Sequence, residues 1–275
     1  MKNKCSYTLF FTGILLVFLI PFYSCEKVIT LNLKRGDQHI VVQGNITNIN
    51  KFNTVNLNYT VPYYNDNNFP AITGAHAIIS DDQGNSETLT ETASGVYKTT
   101  SLTGTPGRKY TLEIVANGNT YTSISYMPLP VAIDSLTFEP SISRSSTTIN
   151  GYRVICKFTD PVGLGNFYRV TINSNDSSGI GENTSRIVSD KFTDGQQLSV
   201  TFRTKLILSD TVNIELQSID KSTYDFYNTL NGAIGSSNLG QFLAALPANP
   251  TSNISNSGLG YFSAYSLNKL SAIIK

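Results

Sequence analysis

The sequence predicts an all-β chain built as two β-sandwich domains. Three observations carry this. Apolar residues alternate with polar ones at period two, most cleanly where Val55, Leu57, Tyr59 and Val61 interleave with Thr54, Asn56, Asn58 and Thr60. Turn signals punctuate these runs at short intervals, and Asn117-Gly118 is the strongest two-residue hairpin signal among them. Helical periodicity occurs over one clear stretch, near residues 222–234. Composition agrees: only 14% of residues are charged, and Asn, Thr, Ser and Tyr supply the polar surface.

The chain opens on an export signal. Lys2 and Lys4 precede an almost unbroken apolar run from Tyr7 to Tyr23, and Ser24 places a small residue directly before Cys25. The pattern resembles a bacterial lipobox, so Cys25 is the expected lipid-attachment residue and residues 1–24 the signal peptide. An uncleaved transmembrane helix is the alternative. Against it, no basic stop-transfer cluster follows Cys25. Removing the signal leaves 18 basic against 19 acidic residues, with no basic run to suggest nucleic acid as a partner.

The first domain is expected over 25–130, with an immunoglobulin- or prealbumin-like sandwich. Its strands are Ile29 to Leu33, Ile40 to Ile46, Val55 to Val61, Ala75 to Ser80, Glu87 to Thr92, Val96 to Thr99, Tyr110 to Ala116 and Thr120 to Tyr126. Met127-Pro128-Leu129-Pro130 marks a boundary, because proline cannot serve in a central strand.

The second domain is expected over 131–275. Its strands are Ile133 to Phe138, Tyr152 to Thr159, Phe167 to Ile172, and the runs around Val200 and Ile214. Ser141 to Asn150 and Asn173 to Ser185 read as loops. Ser222 is the expected helix N-cap, with Asp225 in the capping-box position and Gly232 or Gly235 as the stop. Gln241 to Leu246 reads as a second short helix, and strands return at Gly260 to Ser266 and Leu270 to Ile274.

Little in the chain points to catalysis. His39 and His76 have no ligand-spaced partner, so no metal site is expected. Cys156 alternates with Tyr152, Val154 and Phe158, which makes it a buried thiol rather than a nucleophile. Asp160, Asp194, Glu215 and Asp220 are the carboxylates from which a glycosidase pair would be drawn, but the chain has no Trp for sugar stacking. Asp81-Asp82-Gln83-Gly84-Asn85 reads as a hairpin turn in preference to a calcium loop. No cofactor is expected. The best recognition candidate is Tyr63, Tyr64, Asn65, Asp66, Asn67, Asn68 and Phe69, because tyrosine gives rigid contact area and asparagine adaptable hydrogen bonding.

Several stretches together point to one family. They include Cys25-Glu26-Lys27, Pro106-Gly107-Arg108-Lys109-Tyr110 and Phe158-Thr159-Asp160-Pro161. The most distinctive is the tail from Pro247 through Ser252-Asn253-Ile254 to Gly258-Leu259-Gly260-Tyr261-Phe262-Ser263-Ala264-Tyr265. The chain resembles the domain-of-unknown-function family DUF4249, lipoproteins of Bacteroidota. The resemblance implies an outer-membrane lipoprotein, encoded beside a TonB-dependent β-barrel receptor and acting as a non-catalytic accessory in nutrient uptake. A structural or adhesive envelope role is the alternative, and a hydrolase with an unrecognised site the second. Which face of the outer membrane it occupies is open, since Glu26 alone is acidic before Lys27.

Overall fold

Alternation decides which face each strand buries. In β1 (Ile40–Thr47), Ile40, Val42 and Ile46 point into a core, while Val41, Gln43 and Asn45 point away. β2 (Thr54–Tyr59) repeats this with Val55 and Leu57. The computed structural model describes residues 37–49, 51–62, 69–142, 149–175, 185–237 and 249–275. Cys25, Tyr63 to Asn68 and Gln241 to Leu246 lie outside the described residues.

The remaining strands are β3 (His76–Asp81), β4 (Ser86–Thr88), β5 (Thr90–Ala93), β6 (Val96–Lys98), β7 (Lys109–Ala116), β8 (Asn119–Tyr126), β9 (Ile133–Ile142), β10 (Ile149–Thr159), β11 (Phe167–Ser174), β12 (Ser185–Ser189), β13 (Gln197–Arg203), β14 (Thr211–Ile219) and β15 (Leu259–Ile273). One helix, α1 (Lys221–Ser237), lies between β14 and β15. Three sheets result: eight strands in the order β12-β11-β14-β15-β1-β2-β6-β5, four in the order β4-β3-β7-β8, and three in the order β13-β10-β9.

Two cores form against the large sheet. One gathers Val42, Leu57, Tyr97, Ile79, Leu112 and Phe262 between the eight- and four-stranded sheets. The other gathers Val170, Leu216, Val154, Phe158, Val200 and Phe202 between the eight- and three-stranded sheets. Met127 is buried in the first core and Val131 packs on the second, so the proline-flanked segment is where the chain changes core.

β15 joins the two. Its first half pairs in parallel with β1, from Val41↔Leu259 to Thr47↔Tyr265. Its second half pairs antiparallel with β14, from Ser218↔Ser266 to Thr211↔Ile273. The tail expected as two strands of the second domain is therefore one strand of fifteen residues serving both cores. Residues 37–275 make one compact unit.

Other expectations are corrected. Glu87 to Thr92 is not one strand. Leu89 is buried, its N–H donates to Ala77 O at 2.8 Å, and there the chain leaves the four-stranded sheet for the eight-stranded one. Asn173 to Ser185 is shortened, since β11 runs to Ser174 and pairs with β14 up to Val212. β12 was not expected as a strand. Asp220, not Ser222, caps the helix: its Oδ1 accepts from Thr223 N at 2.9 Å, while Asp225 pairs with Lys221 at 2.5 Å. Neither Gly232 nor Gly235 stops the helix, which continues to Ser237.

The turn at 81–85 is built by its own side chain. Asp81 accepts from Gln83 N, Asn85 N and Asn85 Nδ2, and from Arg108 Nη1 at 2.6 Å. At Asn117-Gly118 both residues have positive φ, 51° and 75°, which the two-residue hairpin requires.

Glu87 is used similarly. It accepts from Thr100 N, Thr100 Oγ1, Ser101 Oγ and Leu102 N, at 2.5 to 3.0 Å. Burial alone would raise its carboxyl, but these donors, led by Thr100, overbalance it and hold the pKa at about 2. A folded-state pKa below the unfolded one gives stability that is present above the ordinary carboxylate range and lost as pH falls toward 2. Glu87→Gln is therefore expected to flatten the acid limb of the Tm–pH curve between about pH 4.5 and 2, leaving the part that Asp81, also held at about 2, supplies. Thermal scans across that window check it; an unchanged acid limb would contradict it.

Candidate functional site

The outward face of the large sheet carries the candidate site. At one end of this sheet β1 begins opposite the end of β2, with Ile40↔Tyr59, and beside the start of β15. Thr60 N donates to His39 O at 2.9 Å, and His39 N donates to Thr60 Oγ1 at 3.0 Å, which extends the pairing past the strand ends. Tyr59 N donates to Pro70 O and Asn58 bridges to Ala71, so the segment that left the sheet at 61 is brought back at 69–71.

The open recess there measures about 300 Å³ and is lined by Val41, Gln43, Asn58, Thr60, Val61 and Phe69. Val41, Gln43 and Asn58 reach it because their neighbours Ile40, Val42 and Leu57 face the core. Its chemistry is apolar surface with two carboxamides and a hydroxyl. Among the described residues no charged side chain lines it. That suits a neutral ligand with hydrogen-bonding groups, or a peptide segment. Of the expected recognition loop, Phe69 is described; it is 53% exposed and forms one wall. Tyr63, Tyr64, Asn65, Asp66, Asn67 and Asn68 lie outside the described residues.

Beside Gln43 on the same face stands its register partner Tyr261. Tyr261 and Tyr227 of α1 join hydroxyls at 3.0 Å, and Arg169 lies over the Tyr227 ring at 4.5 Å. Arg169 Nη1 also donates to Gln217 Oε1 at 3.2 Å. Burial pushes the Tyr265 hydroxyl up to about 12, helped by Glu215 and Tyr261 and opposed by Arg169. The Tyr227–Tyr261 hydroxyl pair joins the helix to the sheet.

The carboxylates named from the sequence do not assemble into one site. Glu215 pairs with Lys269 at 2.5 Å, and Asp220 caps α1. Asp160 and Asp194 do come together, with Asp190, which sequence reading missed. Each offers an oxygen within 4.8 Å of the others, the kind of cluster that could hold a hard cation. All three are nonetheless engaged by the protein. Asp160 accepts from Tyr168 OH at 2.5 Å and Gly195 N at 3.0 Å. Asp190 accepts from Gly165 N and Asn166 N, and Asp194 from Gly163 N at 2.7 Å. They fix the 160–166 and 190–196 loops, and the first of these borders a cavity of about 340 Å³ with Tyr126, Leu129, Phe167 and Lys221. Only composition, Asp at both loop ends, could have pointed to them.

Cys156 is fully buried and burial pushes its thiol up to about 12, the state of a packing residue. His39 lies just before β1, beside Thr60, while His76 lies on β3 of the four-stranded sheet, opposite Val115.

A model of the family described as "Domain of unknown function (DUF4249)" matches residues 26–271. No curated protein matches the chain. Among solved structures, a two fibronectin type III domain segment of chicken tenascin overlays at 16% identity and a TM-score of 0.21, covering 67% of this chain and 90% of its own. The BSP domain of a biofilm-associated protein does so at 13% identity and 0.25, covering 64% and 27%. The Yersinia pseudotuberculosis adhesin InvE does so at 18% identity and 0.22, covering 66% and 55%.

Proposed function

The chain belongs to the DUF4249 family, and we propose that it acts there as a lipid-tethered, non-catalytic binding protein of the outer membrane, the accessory subunit of a TonB-dependent uptake system. The observation that carries this reading is the position of the recess. Its walls, Val41, Thr60 and Phe69, stand at the end of the large sheet where the described chain starts, next to His39. Eleven residues lie between Cys25 and Asp37, which is twelve backbone steps. At about 3.5 Å per residue they span at most about 40 Å. With Cys25 acylated, that length bounds how far Asp37, two residues before His39, can stand from the lipid headgroups, where the proposed β-barrel partner resides.

The buried carboxylates support binding over catalysis, because each is committed to backbone N–H groups or to a neighbouring hydroxyl. A structural or adhesive envelope role is the second reading. Val162, Leu164 and Phe192 favour it: they are 88%, 72% and 84% exposed, on loops that the three aspartates hold in place.

A mild-detergent pull-down of the tagged protein from its own membranes, beside Cys25→Ser and Phe69→Ala, tests the first reading. Stoichiometric recovery of a β-barrel receptor with wild type, reduced in both variants, is expected. Recovery of the lipoprotein alone would transfer the assignment to the adhesive reading.

A further inference from the structure

The three-stranded sheet carries a second site, unrelated to the recess. Across its outward face run Glu139 on β9, Arg153 on β10 and Arg203 on β13, each directly opposite the next. Two guanidinium groups facing each other across strands repel. One carboxylate answers them: Glu139 Oε2 takes Arg153 Nη2 at 2.5 Å. Arg153 Nε is enclosed and has no acceptor among the described residues. A third guanidinium arrives from the opposite sheet. Arg186 of β12 lies 5.7 Å from the Phe202 ring and spends one donor on Ser185 O at 3.0 Å.

Arg153, Arg186, Arg203 and Thr201 line one open concavity of about 640 Å³. Three of the chain's seven arginines thus converge on one place, in a protein whose overall charge is near zero. Counting Glu139, the site carries two net positive charges. Arg203, by contrast with Arg153, which has Glu139, and Arg186, which has the Phe202 ring, faces a like charge across the strands. Arg153, Thr201 and Arg203 point outward from the three-stranded sheet, while Arg186, opposite the buried Val170, comes from the inner face of the large sheet at its edge strand. Guanidinium forks match tetrahedral oxyanions bidentately, and a phosphate monoester brings about −1.5 to −2 charges at neutral pH, the complement of this site.

We propose that Arg153, Arg186 and Arg203, with the Thr201 hydroxyl, form a binding site for a phosphate monoester group. The group is free in solution or borne on a lipid, and the test separates the two. Calorimetric titration of the mature lipoprotein in nonionic micelles uses inorganic phosphate, dioctanoyl phosphatidic acid and acetate in turn. Binding of phosphate or of phosphatidic acid, but not of acetate, is expected. Phosphatidic acid binding at least tenfold tighter than phosphate identifies the lipid-borne form, and equal binding the soluble one.

Arg203→Gln and Arg186→Gln are each expected to weaken binding at least tenfold. Arg203→Gln should do so with an unchanged or raised Tm, since it relieves the repulsion with Arg153. Failure of both phosphate probes to bind wild type would overturn the proposal, as would acetate binding equally well. So would an Arg203→Gln protein that binds normally but melts earlier, because the arginine would then be structural.

Discussion

Gly260→Ala is expected to lower stability by about 4 kcal/mol or more, the largest effect of an added methyl group among the described glycines. Gly260 has φ +92°, and a Cβ there would lie 1.9 Å from Val42 O. That oxygen belongs to the backbone of β1, so no side chain can swing aside to relieve the overlap. The register Val42↔Gly260 must open instead. This parallel pairing brings Phe262 and Ala264 into the first core and carries β15 onward to β14. For a body of this size a loss of 4 kcal/mol lowers Tm by about 10 °C. Gly118→Ala is the comparison: its φ is +75° and nothing lies within 4 Å of its Cβ, so it costs only the backbone strain, about 1 kcal/mol. Equal melting shifts for the two variants would contradict the role given to β15.

Asp220→Ala is expected to cost about 2–4 kcal/mol. One carboxylate here serves three elements. Oδ1 accepts from Thr223 N and from Ser222 Oγ, each at 2.9 Å, which caps α1. Oδ2 accepts from Ser125 Oγ at 2.8 Å and Tyr126 N at 3.1 Å, which ties the end of β8 to the helix. Ser125 Oγ in turn accepts from Ala264 N at 2.9 Å, which reaches β15. Alanine would strand the buried Ser125 hydroxyl and the Thr223 N–H together, so the cost exceeds that of an exposed cap. Asp220→Asn keeps one acceptor oxygen and should fall between. Denaturant unfolding of the three proteins checks the order; an alanine variant within 1 kcal/mol of wild type would rule out the bridging role.

Strands with one buried face were legible because burial imposes period two on the sequence, as in β1, β2, β7 and β13. β12 was not, because all five of its residues are half-buried and it stands at a sheet edge with no polar–apolar contrast to read. The break at Leu89 was hidden too, since a strand that changes sheets keeps its local alternation while changing partners. The double service of β15 depends on pairing residues 41–47 with 259–265, and no local signal carries a contact across that separation. Of the six residues lining the recess, the sequence pointed to one as a recognition residue. Phe69 was named because aromatic loop residues stand out. Val41, Gln43 and Asn58 were not, because residues on a strand's outward face read as surface until the returning chain packs beside them. Arg153, Arg186 and Arg203 come from three strands of two sheets, so only the packed sandwich brings them together.

The central claim is the proposal that the recess between β1 and β2 meets a membrane partner, with Cys25 as the proposed lipid anchor. The most direct measurement places a photocrosslinking amino acid at position 69 in cells, and a second at position 207. Ile207 precedes β14 at the other end of β15, and it is 64% exposed. Crosslinking from position 69 to an integral β-barrel protein, lost on Cys25→Ser and absent from position 207, is the predicted result. Crosslinks to the same protein from position 207 but none from position 69 would contradict it.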